Sequence, residues 1–125
     1  MEPSRIKPLV WIGSSLDDLQ KNFPDEVKDV LGYALYLAQT GSKHPKAKPL
    51  KGFAGAGVLE IVDDHDTNTY RAVYTVKLSD TVYVLHAFQK KSKSGIATPQ
   101  KELNLIKARL QQAMEHHAGK GGKKI

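Results

Sequence analysis

The sequence predicts an α+β fold: a small twisted antiparallel sheet with two N-terminal helices packed on one face and a C-terminal helix, in the order β-α-α-β-β-β-α. Three observations carry this. Apolar residues recur at helical spacing from Val27 to Ala38 and again from Leu103 to Ala113. Between these segments lie three consecutive stretches rich in Val, Tyr and Thr, divided by short polar turns, which is the pattern of an antiparallel meander. The chain has 125 residues, 40% of them hydrophobic and 26% charged, enough for one core and not for two.

Residues 7–12, from Lys7 to Ile12, read as a short opening strand. Ser15 followed three positions later by Asp18 matches a capping box and opens a short helix to about Asn22. Pro24, Asp25 and Glu26 start a second helix, since proline loses nothing at the first helical position and acids suit the positive end of the dipole. Val27, Val30, Leu31, Ala34, Leu35 and Ala38 form its apolar stripe, and Gly41 is its stop. Tyr33, Tyr36 and Leu37 widen that stripe, which predicts burial on more than one side. Residues 42–57 form a loop rich in Gly and Pro, with four lysines and no acid. Strands follow over 58–62, 69–78 and 81–88, and Thr98-Pro99 opens a last helix that Gly119 is expected to end. Residues 1–118 make one domain, leaving 119–125 as a flexible basic tail.

Register divides the sheet into two faces. If partners in the second hairpin sum to 159, Val76 opposes Tyr83, Tyr74 opposes Leu85 and Ala72 opposes Ala87, all on one apolar face. The other face then pairs Val73 with His86, Arg71 with Phe88 and Thr69 with Lys90. Placing Leu59 and Ile61 in the core turns Glu60 to that second face as well. The expectation is a greasy side for the helices and a concave, partly open side that gathers Glu60, Arg71, His86, Phe88 and Lys90.

Charge points to a polyanionic partner. Nineteen basic against thirteen acidic side chains give a net +6. Residues 1–85 hold ten basic and eleven acidic groups, whereas residues 86–125 hold nine and two. Such asymmetry suits nucleic acid first. The absence of cysteine excludes disulfides, a thiolate nucleophile and Cys-ligated metal sites. No apolar run reaches the length of a membrane span and no signal peptide is evident, so a cytoplasmic location is expected, with no membrane partner. His116-His117 lacks zinc spacing, and His65 among Asp63, Asp64 and Asp66 reads as a polar turn. Gly52 to Gly57 is not a P-loop, because no Gly-Lys-Ser/Thr follows. The expectation is therefore no metal and no cofactor.

Residues 70–92 carry a resemblance. Tyr70-Arg71-Ala72-Val73-Tyr74, a turn, Val82 to Phe88 and then Gln89-Lys90-Lys91-Ser92 resemble the RelE/ParE toxin superfamily, most closely its phage-related, HigB-like branch. The resemblance extends over about residues 7–117. It implies the toxin of a type II toxin–antitoxin pair, most often an mRNA endoribonuclease acting in the ribosomal A site. It also implies a cognate antitoxin, often a small helix-turn-helix protein. ParE members instead poison DNA gyrase, and an RNA-binding or inactive prophage remnant is a third possibility. By the same resemblance Arg71 matches the arginine that holds the scissile phosphate, and Lys91, with Lys90 beside it, matches a second active-site cation. The strand Glu60-Ile61-Val62 lacks a cation found there in RelE relatives, and the aromatic near the start of their last helix falls at about Ala97.

Cleavage by the internal 2′-hydroxyl needs a base, positive charge on the phosphorane and an acid for the leaving oxygen. Guanidinium stays protonated, so Arg71 suits charge stabilisation. His86 and Glu60 are the two candidate bases. Phe88 could stack on a splayed base or plug the core. Lys46, Lys48, Lys51 and Lys93 could contact RNA or ribosome backbone, or be solvated loop lysines.

Overall fold

The computed structural model describes residues 6–53, 55–78, 80–90 and 98–122. Its elements are β1 (Leu9–Trp11), α1 (Ser15–Asn22), α2 (Asp25–Gln39), β2 (Lys48–Pro49), β3 (Val58–His65), β4 (Asn68–Thr75), β5 (Val82–Lys90) and α3 (Gln100–Gly122). The five strands form one sheet in the order β1-β5-β4-β3-β2. The fold is α+β as expected, but the sheet is mixed: β1 pairs parallel with β5, Leu9 opposite Val82. The two-residue β2 lies in the segment read as loop and pairs antiparallel with β3, Lys48 opposite Glu60. A strand of two residues carries no period, so alternation could not reveal it.

Local chemistry sets the ends of the helices. Ser15 does not cap α1; it is fully buried and its hydroxyl donates to the Val84 carbonyl at 3.1 Å. Ser14 is the preceding N-cap residue, and its hydroxyl donates to Asp18 at 2.8 Å rather than accepting from a helix N–H. Pro24 sits just ahead of α2. Gly41, at φ +89°, closes that helix, with the Gly41 and Ser42 amides donating to the Ala38 and Leu37 carbonyls. Tyr33 and Tyr36 are not buried: they stand 55% and 47% exposed on the outer side of α2. The stripe at i, i+3 and i+4 is complete without them. Gly119 does not end α3, which continues to Gly122 and so includes the first part of the expected tail. Glycine weakens a helix by roughly 1 kcal/mol, a cost that α3, packed on the sheet from Leu103 to Ala113, absorbs.

The β4–β5 pairing follows the expected register from Thr69–Lys90 through Val73–His86, then slips by one at a bulge between Val73 and Tyr74. Tyr74 therefore opposes Val84, not Leu85, and Thr75 opposes Tyr83. The extra residue turns Leu85 and Tyr83 to the second face of the sheet, correcting the face expected for both. The first core lies under α1 and α2, where Leu19, Val27, Leu31 and Leu35 meet Ile61, Ala72, Tyr74 and Val84. The second lies on the opposite face, where Ile106 and Ala113 of α3 meet Val58, Val73, Tyr83 and Leu85. The sheet is thus covered on both sides. The face expected to be open is the one that α3 packs against.

Candidate active site

Alternation along three neighbouring strands brings Glu60, Arg71, His86 and Phe88 to one face, as the sequence predicts. Glu60 lies opposite Val73, Val73 opposite His86, and Arg71 opposite Phe88. The Arg71 Nη1 donates to Glu60 Oε1 at 3.0 Å and to the Thr98 hydroxyl at 3.2 Å, just ahead of α3. Both members of the Arg71–Glu60 ion pair expose only 9% of their side chains. A buried pair of this kind is held because each charge compensates the other's desolvation. His86 and Phe88 stack at 4.6 Å between ring centroids. All four residues are buried, so the cluster is not the open concavity that the sequence led us to expect.

His86 takes its side-chain partners from α3. His86 Nε2 is 2.6 Å from Glu102 Oε1, and its Nδ1 lies 3.4 Å from Arg109 Nη1. An arginine only donates, so Nδ1 accepts and the proton sits on Nε2, donating to Glu102. Arg109 Nη1 also donates to the Leu85 carbonyl at 3.0 Å, and its Nη2 donates to Ser14 at 3.1 Å. Gly13, at φ +58°, makes room for this guanidinium; a Cβ there would stand 2.8 Å from Arg109 Nε. A continuous chain thus runs from Asp18 through Ser14, Arg109 and His86 to Glu102. Burial pushes the His86 pKa down, Glu102 opposes that shift, and Arg109 adds to it. Imidazole is accordingly neutral at pH 7, with both nitrogens engaged.

Four residues of this network were not singled out as site residues from sequence: Ser14, Thr98, Glu102 and Arg109. The signal was present in α3 itself. Leu103, Ile106, Leu110 and Ala113 make an apolar stripe that must be buried, and with α1 and α2 on one face only the other was left. Polar residues flanking that stripe were bound to meet the strand residues beneath.

The lysines separate. Lys46 is bound to Asp63 at 3.1 Å. Lys48 is exposed on β2 opposite Glu60, and Lys51 is exposed in the turn that follows. Lys90 pairs through its backbone with Thr69 at the end of β5. The Lys90 side chain, together with Lys91, Lys93 and Ala97, lies outside the described residues. Among the described residues no three His, Asp or Glu side chains gather as a metal site, and no helix is long and apolar enough to cross a membrane.

No curated protein matches the chain. A family model does, over residues 17–111, from α1 to the middle of α3, taking in the whole Glu60–Arg71–His86 cluster and its α3 partners. Its description is phage derived protein Gp49-like (DUF891), a family of the RelE/Gp49 toxin-like group. With most of its length inside that match, the chain belongs to the phage-derived Gp49-like family.

Proposed function

We propose that this protein is the toxin of a type II toxin–antitoxin pair, HigB-like in kind, which cleaves mRNA on the ribosome in the cytoplasm and is neutralised by a small helix-turn-helix antitoxin. The observation that carries the reading is a guanidinium and a carboxylate, Arg71 and Glu60, 3.0 Å apart on adjacent strands inside a toxin-like family domain. Arg71 binds the scissile phosphate by exchanging Glu60 and Thr98 for phosphate oxygens. The released Glu60 carboxylate takes the 2′-hydroxyl proton, the 2′-oxygen bonds to phosphorus and the bond to the 5′-oxygen breaks. Lys90 or Lys91 protonates that oxygen, leaving a 2′,3′-cyclic phosphate and a 5′-hydroxyl. His86, engaged at both nitrogens, holds the fold of the site, so Glu60 is the base of the two candidates. Phe88, stacked on His86, acts as a core plug.

A reconstituted translation reaction on a defined mRNA tests this. The wild-type protein should release fragments with 5′-hydroxyl ends inside ribosome-bound codons, and Glu60→Gln should slow release at least 100-fold. One observation favours a second reading, a gyrase inhibitor without nuclease activity: the Arg71 and Glu60 charges are buried and already paired with one another, as in a structural ion pair. Inhibited supercoiling with intact mRNA would select that reading instead.

A further inference from the structure

The short strand β2 gives the site a further cation, and we infer that Lys48 binds the phosphate on the 5′ side of the cleaved nucleotide. This rests on the reading of Glu60 and Arg71 as base and phosphate ligand. Lys48 is the backbone partner of Glu60 in the β2–β3 ladder. Residues directly opposite one another in an antiparallel pair carry their Cβ atoms on one face, about 5 Å apart. Lys48 therefore shares the face of Glu60, Arg71 and His86. Unlike those three it is exposed, and unlike Lys46 it takes part in no ion pair found among the described residues. Pro49 follows it, which fixes the strand locally and leaves β2 as the edge of the sheet.

The order across the sheet is then cation, carboxylate, cation: Lys48 on β2, Glu60 on β3, Arg71 on β4. Each step between strands is about 4.8 Å. An RNA strand presents the same alternation at every nucleotide, with a phosphate, a ribose carrying its 2′-hydroxyl, and the next phosphate. With the scissile phosphate on Arg71 and the 2′-hydroxyl at Glu60, the preceding phosphate falls on the β2 side. Lysine and arginine side chains are together long enough to span the two strand steps that separate their backbones. The assignment also fixes polarity: the chain crosses the sheet edge at β2 with its 5′ side and runs towards β5. Approach from β2 further explains how a substrate meets a buried pair, since Lys48 stands at the exposed rim beside Glu60.

The test uses short mRNAs carrying one uncharged methylphosphonate at the phosphate 5′ to the cleaved nucleotide, or at a control phosphate two nucleotides away. The wild type should lose about 10-fold in cleavage of the first and nothing with the second, as expected for one charge-assisted contact. Lys48→Ala should lose the same factor on natural mRNA and nothing more on the modified one, while Lys48→Arg restores the rate. The salt slope of ribosome-bound RNA engagement should flatten by about 0.7 in Lys48→Ala, the increment for one single-strand phosphate. Losses that multiply between Lys48→Ala and the methylphosphonate would overturn the assignment, as would a Lys48→Ala protein as fast as the wild type. A wild type that cuts neither RNA sinks the nuclease reading itself, and this inference with it.

Discussion

At the scale of single residues, the buried pair decides what a mutation can report. Truncating Arg71 to Ala strands Glu60 as an uncompensated buried charge, a change that commonly costs about 3–5 kcal/mol. Loss of activity in that variant would therefore confound chemistry with folding. The double change Arg71→Gln with Glu60→Gln removes both charges and keeps the shapes. We expect it to lose activity while melting within a few degrees of the wild type, and Arg71→Ala alone to melt far lower, as differential scanning fluorimetry would read. Tyr74 offers the converse case. Its hydroxyl is buried with no hydrogen-bond partner among the described residues, and burial pushes its pKa up to about 12. A buried hydroxyl left unsatisfied costs about 1–3 kcal/mol, so Tyr74→Phe should raise the denaturation midpoint. A lower midpoint would mean that the hydroxyl is bonded after all.

At the scale of elements, the β3–β4 hairpin turns through two residues, Asp66 at φ +48° and Thr67 at φ +65°. Left-handed backbone suits glycine or asparagine and penalises a β-branched side chain. Thr67→Gly should stabilise the protein by about 1 kcal/mol, visible as a shift of the urea midpoint at unchanged slope. Much of the element plan was legible in the chain. The stripe from Val27 to Ala38 named α2, and the alternation through Tyr70 to Tyr74 put Arg71 and Glu60 on one face. What the chain hid were features without a period. A bulge at Leu85 adds one residue to a strand whose pattern stays apolar on both sides, so nothing in the pattern betrays the slip. The two residues of β2 look like any Lys-Pro in a loop. Ser15 looks like a cap, yet its hydroxyl spends itself on the Val84 carbonyl across the layer.

At the scale of the whole molecule, α3 is fastened across the site face by apolar contacts, by a Tyr83–His116 hydrogen bond of 2.8 Å near its end, and by the polar chain through His86, which contains a buried titratable ring. His86 accepts from Arg109 at Nδ1, so a proton arriving there meets a guanidinium instead of a lone-pair partner. Other charges close to the ring are Glu102 and, through the Ser14 link, Asp18, both of which favour the proton. Burial outweighs them and holds the folded pKa below its usual value. The sign follows from linkage. A histidine whose pKa is lowered by folding adds stability that is full above the unfolded value of about 6.5 and fades as pH falls through the folded pKa. Thermal melts should therefore show the wild type losing stability more steeply than His86→Gln between pH 7 and pH 5. Hydrogen exchange should assign the loss to α3 amides, around Glu102 to Arg109, before those of β4. Equal slopes for the two proteins, or protection lost first in the sheet, would show that α3 is held by its other contacts, Ile106, Ala113 and the Tyr83–His116 bond among them, and that the imidazole is a bystander.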